Sequence, residues 1–327
     1  MSSPRFDFIP IALLALIALA GFGLIGSPST WVTLTVAGLA MGLLIFIMSS
    51  GLTLIFGLMD VMNFAHGLFI AVGAYVAASV IRLFAASAGA DSFAANLVAL
   101  VPALAAAIVA AGLLGLFFER VIIKPVYGQH LKQILITTGG MIVAEQLIHV
   151  VWGPDLVPLP RPETLRGAFL FGDIALEKYR LVAVVIGLAV FAAMLLVLNR
   201  TRIGLLIRAG VENREMVEAM GYRIRRLFVA VFVAGSALAG LGGALWGLYQ
   251  ESVSVAIGAQ MMVLIFIVII IGGLGSVTGC FVGAILVGLM ANYVGYLSPK
   301  IALGSNILLM VMVLLWRPRG LYPVGRS

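Results

Sequence analysis

The chain has 327 residues, of which 63% are hydrophobic and only 10% are charged, and its mean hydropathy is +1.19. Soluble globular proteins are about 45–50% apolar and about 25% charged, so this composition excludes a soluble domain and indicates a polytopic membrane protein. The apolar runs are continuous rather than alternating, which excludes a transmembrane β-barrel and predicts an all-α fold. We attribute the net charge of +7 to basic cytoplasmic loops and not to nucleic-acid binding.

Hydropathy predicts about ten membrane-spanning helices in a single transmembrane domain that takes in residues 1–327. They cover residues 8–26, 31–58, 62–84, 93–118, 133–152, 179–198, 227–249, 258–274, 277–297 and 301–316. The interval 31–84 is also compatible with a re-entrant piece, in which case the chain crosses the membrane eight or nine times. A cytoplasmic amino terminus places 14 of the 20 Lys and Arg residues inside the cell and six outside. This bias predicts that both termini are cytoplasmic.

Two long apolar segments, residues 51–77 and 261–288, are interrupted near their middles by glycine and polar residues. Each contains Leu-Ile-Phe, at 54–56 and at 264–266, and such matching interruptions are typical of transporters built from internal repeats. Asn63, His66 and Gly67 lie at the first interruption. A broken helix exposes backbone groups that protein or a water-filled cavity must satisfy, so we expect these residues at the translocation pathway. The alternative is a cytoplasmic turn with a polar cap.

Ionisable residues within a membrane span are costly and are candidates for function. Glu145 and His149 are four residues apart on one predicted helix, so they face the same side of it. Together with His66 they would suit a proton relay in an ion-coupled secondary transporter. The alternatives are interhelical hydrogen bonds or a place near the outer interface.

The segment 153–178, which we call the exterior segment, is the one long connection predicted outside the cell. It contains four prolines and balanced charge. The sequence is compatible with an ordered lid or docking surface and equally with a plain connector.

The segment 199–226, which we call the arginine-rich loop, holds seven arginines between two apolar spans and is predicted to be cytoplasmic. Asn213 can cap a helix, Arg214 and Glu218 can pair, and Gly221 suits the position just after a helix. These residues predict a short helix near 214–220. Its apolar residues would form a stripe suited to a groove on a soluble partner, or alternatively to anionic lipid headgroups. The stripe consists of Met216, Val217 and Met220.

Glycines recur every four residues at Gly275, Gly279 and Gly283, a spacing that lets two helix backbones approach closely. Several catalytic motifs are missing from the sequence: the phosphate-binding GxxxxGK[ST], HExxH, CxxC and GxSxG. We therefore predict a non-enzymatic protein without its own ATPase motif, metal or cofactor.

Several motifs resemble those of branched-chain amino acid ABC transporter permeases of the LivH type, in the order expected for that family. They are Met62-Asn63-Phe64-Ala65-His66-Gly67, Gly73-Ala74-Tyr75, Arg208-Ala209, Glu218-Ala219-Met220-Gly221, Gly272-Gly273-Leu274-Gly275-Ser276 and Trp316-Arg317-Pro318-Arg319-Gly320-Leu321. The resemblance extends over roughly residues 31–322.

The resemblance implies a permease subunit of an ATP-binding-cassette importer in the bacterial inner membrane, which carries branched-chain or related amino acids. It also implies four kinds of partner: a second permease chain, two cytoplasmic ATPase subunits, a periplasmic binding protein and the amino-acid substrate. The arginine-rich loop would then be the joint to the ATPase. Its coupling residues would be Arg208, Met216, Val217, Glu218, Ala219, Met220 and Gly221.

Overall fold

The computed structural model describes residues 9–212 and 214–323, and these are almost entirely helical. The helices are α1 (Ile9–Ile25), α2 (Pro28–Met59), α3 (His66–Leu83), α4 (Ala85–Ala88), α5 (Phe93–Phe118), α6 (His130–Trp152), α7 (Lys178–Arg200), α8 (Arg202–Glu212), α9 (Arg214–Ala219), α10 (Ile224–Gln250), α11 (Ile257–Gly272), α12 (Val277–Leu297) and α13 (Ala302–Trp316). A π-helical turn at Glu119–Ile123 and a 3₁₀ turn at Lys124–Val126 extend α5. Two further 3₁₀ turns lie at Glu163–Leu165 and Pro299–Ile301.

Each of the ten predicted spans overlaps one of these helices. Within the described residues, seven helices are long and apolar enough to cross a membrane, and three shorter apolar helices lie at Ile9–Ile25, Ile257–Gly272 and Gly304–Trp316. The structure therefore confirms a polytopic all-α architecture. The exact number of crossings stays a prediction.

The centre of the bundle consists of α2, α3, α10 and α12, which are mostly buried, whereas α6 and α7 are mostly exposed at the periphery. Glycine brings the central helices together. The backbone of Gly51 in α2 contacts that of Gly235 in α10, and Gly73 in α3 contacts Gly240 in the same helix. A side chain at these crossings would collide with the opposite backbone. Close contact between small residues is how helices associate where lipid provides no hydrophobic drive.

The first interruption differs from the predicted span 62–84, because α3 begins only at His66 and residues 60–65 are not helical. The imidazole Nε2 of His66 lies 2.9 Å from the carbonyl oxygen of Met48, which precedes the end of α2 by eleven residues. At 1.5 Å per residue, α3 thus begins about 16 Å back along α2. Residues 60–65 therefore return into the bundle before α3 starts, and the Phe64 ring packs 5.1 Å from that of Phe266.

The second interruption is the turn 273–276 between α11 and α12. Gly275 has a φ of +81° and lies in this turn, between the predicted spans 258–274 and 277–297, whereas Gly279 and Gly283 lie in α12. An added Cβ on Gly275 would come within 2.9 Å of the Gly57 Cα, and one on Gly283 within 2.8 Å of the Val268 oxygen. Gly279 contacts the backbone of Gly272. The internal repeat stays a prediction.

The exterior segment contains strands and a 3₁₀ turn, whereas its role as a lid or docking surface stays a prediction. It adds three short strands that the all-α prediction did not include: β1 (Val157–Pro158), β2 (Ala168–Phe171) and β3 (Ile174–Glu177). A further short strand, β4 (Ser252–Val253), follows α10. Strand β1 pairs antiparallel with β4, and β2 pairs antiparallel with β3.

Arg161 holds this segment against the end of α10. Its guanidinium donates to the backbone oxygens of Leu248 at 2.9 Å and Tyr249 at 2.6 Å. The same group pairs with Glu177 at 3.2 Å and Glu251 at 3.4 Å, and its side chain is only 13% exposed. The last carbonyls of a helix lack hydrogen-bond donors within the helix and carry partial negative charge. A cation at this end supplies the missing donors and neutralises the charge.

Candidate functional site

The arginine-rich loop is itself mostly helical and contains a helix, α8, that the sequence prediction missed. Thr201 caps α8, since its side-chain oxygen accepts from the Gly204 N–H at 3.1 Å. The buried Gly210 packs α8 against the end of α2 and the start of α10: an added Cβ there would lie 3.1 Å from Leu58 and 3.2 Å from Ile224. The signal was present in the apolar spacing of Ile203, Leu206, Ile207 and Gly210, which follows one face of a helix.

Helix α9 occupies Arg214–Ala219, close to the predicted 214–220. Gly221 has a φ of +84°, and its N–H donates to the oxygen of Glu218 at 2.9 Å. The N–H of Tyr222 donates to the oxygen of Val217 at 3.3 Å. This pair of bonds is the Schellman arrangement, in which a glycine in the left-handed region ends a helix and satisfies its last carbonyls. The prediction that Gly221 follows the helix end is confirmed.

The predicted apolar stripe of α9 is divided between two sides of the helix. Met216 and Met220 are 60% and 59% exposed, whereas Val217 is 1% exposed and belongs to the hydrophobic core together with Ile207 and Ile224. Our placement of Val217 on an uncovered stripe is therefore wrong, because α8 and α10 cover it. Val217 fixes α9 to the bundle, and the two methionines face outward. Glu218, Ala219 and Gly221 are also exposed.

Most of the loop arginines are exposed without an ion pair. Among the side chains that the structure describes, Arg200, Arg202, Arg223, Arg225 and Arg226 have no carboxylate within ion-pair distance. Arg208 is exposed and donates to the neutral side-chain oxygen of Asn199 at 3.2 Å. The predicted cap Asn213 and the side chain of Arg214 lie outside the described part, so the predicted cap and the Arg214–Glu218 pair stay predictions.

The predicted pathway residues lie at the start of α3 and are buried. Both amide atoms of Asn63 and the Nδ1 atom of His66 lack a hydrogen-bond partner among the described residues. Gly67 lies where α3 crosses α11: a Cβ there would come within 2.7 Å of the Gly258 oxygen. A buried polar atom without a hydrogen-bond partner typically lowers the free energy of unfolding by about 1–3 kcal/mol. Three such atoms close together in the sequence therefore mark Asn63 and His66 as candidates for function.

Glu145 and His149 lie on the peripheral helix α6, away from the buried centre where His66 bonds to Met48. The structure shows no hydrogen bond or ion pair that joins either residue to His66. Among the described residues there is also no group of three or more His, Cys, Asp or Glu side chains able to hold a metal ion.

Comparison with known proteins gives a consistent result along most of the chain. Residues 34–316 match the family model described as the branched-chain amino acid transport system permease component. The high-affinity branched-chain amino acid transport system permease protein BraD of Pseudomonas aeruginosa is 29% identical over 296 residues, covering 88% of this chain and 94% of BraD. The corresponding protein LivH of Escherichia coli K12 is 27% identical over 291 residues, covering 87% and 92%.

A probable branched-chain amino acid transport permease protein of a second type, LivM of Methanocaldococcus jannaschii, is 25% identical over 320 residues. That match covers 86% of this chain and 90% of LivM. No solved structure matches the chain.

Proposed function

Since the chain belongs to the family of branched-chain amino acid transport system permease components, we infer that it is the membrane-spanning permease subunit of an ATP-binding-cassette importer. The family match over residues 34–316 is the observation that carries this conclusion. The substrates that we propose are branched-chain or related amino acids, as the names of BraD and LivH indicate for those relatives. The protein is a transport subunit and not an enzyme.

We propose a bacterial inner-membrane location, ten membrane segments in one domain that takes in residues 1–327, and two cytoplasmic termini. The seven long helices and the three shorter apolar ones would supply the ten segments. The distribution of Lys and Arg supports this orientation, because it places the seven arginines of the 199–226 loop inside the cell.

The partners that we propose are a second, different permease chain, two cytoplasmic ATPase subunits and a periplasmic binding protein. Similarity to both LivH and LivM, two kinds of permease protein, supports a pair of related chains. The sequence lacks a phosphate-binding loop, so ATP hydrolysis would come from separate subunits.

Helix α9 is the element best placed to receive a push from an ATPase. Val217 joins α9 to the core, so a force on the outward side passes to α8 and α10. Met216 and Met220 lie one helical turn apart and present an apolar pair suited to a groove on a partner. ATPase closure would bias the bundle between outward and inward access, because a partner shifts a two-state equilibrium by binding the two states differently.

Asn63, His66 and Gly67 stay our candidates for the pathway. The unpartnered atoms of Asn63 and His66 support this proposal, since a polar substrate could supply the missing partners when the bundle opens. Gly67 would keep α3 and α11 in contact beside them. The ion-coupled alternative, which needs Glu145, His149 and His66 to act together, has no support from the relatives or from the positions of these residues.

The double variant Met216→Asp with Met220→Asp tests the coupling proposal. Two carboxylates on the outward side of α9 cannot enter an apolar groove, so ATP-driven leucine uptake by the reconstituted complex should fall at least tenfold. The melting temperature of the purified chain should stay unchanged, because both side chains are exposed.

The matched control is Met216→Leu with Met220→Leu, which keeps the apolar pair and should keep most of the uptake. Full uptake by the aspartate variant, or equal loss in the leucine variant, would show that the apolar character of α9 does not drive coupling.

For the pathway, Asn63→Ala should reduce uptake severalfold while the complex still assembles. The alanine removes two unpartnered polar atoms, so the stability of the chain should not fall. Uptake of radiolabelled leucine, normalised to the amount of assembled complex, measures the effect. Loss of assembly in proportion to uptake would assign Asn63 a structural role instead.

A further inference from the structure

A polar cavity of about 520 Å³ lies where the extension of α5 meets the start of α10. Its lining residues are Glu119, Arg120, Lys124, Glu218, Tyr222, Arg223, Ile224, Arg225, Arg226 and Val229. Five of these are cations and two are carboxylates, so the cavity carries an excess of positive charge. Its walls come from two separate parts of the sequence. The fold therefore brings basic residues together that are distant in the chain, and the positive charge does not come from one basic run alone.

The cations of this cavity form no ion pair with a carboxylate of the described residues. Arg120, Lys124, Arg223, Arg225 and Arg226 have no ion-pair partner among the residues that the structure describes. Five cations beside two carboxylates give the cavity an excess of positive charge, and this excess attracts negative charge from outside the chain.

The position of the cavity indicates which anion. It lies at the ends of two membrane helices, α5 and α10, and in the orientation proposed above both ends meet the cytoplasmic leaflet. Phe117 and Val121 are exposed apolar side chains that precede Arg120 and Lys124, respectively, by three residues, which is about one helical turn. Apolar surface directly beside a basic cavity matches a ligand that carries both a phosphate and an acyl chain.

We propose that this cavity binds the phosphate of an anionic phospholipid, such as phosphatidylglycerol, in the cytoplasmic leaflet. Arginine from the α10 side and Arg120 with Lys124 from the α5 side surround the headgroup. Glu119 accepts from the Tyr127 hydroxyl at 2.7 Å through Oε1, while its buried Oε2 has no hydrogen-bond partner among the described residues. A headgroup hydroxyl supplies a donor for that oxygen. The lipid would thereby tie α5 to the start of α10, next to α9.

The test titrates the full-length chain in detergent with short-chain phosphatidylglycerol and counts bound lipid by native mass spectrometry. Arg223→Gln with Arg226→Gln, and separately Arg120→Gln with Lys124→Gln, should each weaken phosphatidylglycerol binding roughly tenfold to thirtyfold, since each cation near an anionic headgroup contributes about 1 kcal/mol. The matched control is Arg200→Gln with Arg202→Gln, which removes the same charge from the same loop outside the cavity. It should change binding less than threefold.

Several results would overturn the proposal. Equal weakening by all three double variants would indicate diffuse attraction to the surface. Binding of phosphatidylcholine as tight as that of phosphatidylglycerol would show that the negative charge is not recognised. Displacement of the lipid by millimolar inorganic phosphate would make free phosphate the ligand. If the chain retains no lipid and a cavity variant also fails to bind the ATPase subunits, the cavity is a contact site for protein and not for lipid. Each result is independent of whether the complex transports leucine.

Discussion

Arginine is used in opposite ways by the two polar segments of this protein. In the exterior segment, Arg161 is largely buried and contacts two helix-end carbonyls and two carboxylates, while Arg166 pairs with Glu163. Arg180, at the start of α7, pairs with Glu177 of the same segment. In the 199–226 loop the described arginines are exposed and have no carboxylate partner within the described chain. Removing a cation whose partners lie in its own chain leaves those partners unpaired and destabilises the fold, whereas an exposed cation is available to bind something outside the chain.

The difference separates a structural end of the molecule from an interacting end. At the end of the molecule that carries the segment 153–178, Arg161 and the pairing of β1 with β4 hold the last turn of α10. On the loop side, α8 and α9 pack only one side against the bundle and present charge and two methionines outward. The contacts proposed for ATPase and lipid both lie at this second end.

The largest effect should come from removing the central exterior cation. Arg161→Ala deletes two charge-assisted hydrogen bonds to backbone oxygens and leaves Glu251 unpaired, which should cost about 3 kcal/mol of unfolding free energy. Denaturant unfolding of the purified chain measures it. The control Arg166→Ala removes an exposed pair and should cost at most about 0.5 kcal/mol. Equal costs for the two variants would contradict a special role for Arg161.

An intermediate effect is expected at the end of α9. Gly221→Ala forces an L-residue into the left-handed region, which costs about 1–2 kcal/mol. Because α9 is a small element, this cost should appear as faster amide hydrogen exchange in residues 214–222 and a severalfold loss of uptake, with little change in global unfolding. Gly139→Ala is the matched control, since Gly139 lies within α6 with open space around it. Unchanged exchange in Gly221→Ala would show that the helix end needs no glycine.

The smallest effect should come from the exposed loop cations. Arg200→Gln with Arg202→Gln should change the unfolding free energy by no more than about 0.5 kcal/mol, because neither side chain has an ion-pair partner in the described chain. The same denaturant measurement applies. A loss of unfolding free energy comparable to that of Arg161→Ala would show that the arginines of the two segments do not differ in their contribution to stability.

Features that depend on local chemistry could be predicted from the sequence. All ten apolar segments became helices because a continuous apolar run must satisfy its own backbone in lipid. The short helix and its glycine end were also predictable, since Gly221 alone among the neighbouring residues adopts a positive φ at little cost.

Features that depend on distant parts of the chain were not predictable. Val217 belongs to the core only because α8 and α10 lie over it, and α8 was missed because its arginines suggested an open loop. The late start of α3 depends on His66 reaching Met48 in another helix. Arg161 and the end of α10 are far apart in sequence, and no local pattern joins Pro160-Arg161-Pro162 to Leu248.

The most direct test of the central claim uses a single cysteine on α9. Cys280 is the chain's only cysteine and is buried, so Met216→Cys adds one accessible thiol. A membrane-impermeant maleimide should label it in inside-out vesicles but not in right-side-out vesicles, and added ATPase subunits should protect it. Labelling from the outside, or labelling from the inside that the ATPase leaves unchanged, would contradict the assignment of α9 as the surface through which the ATPase drives transport.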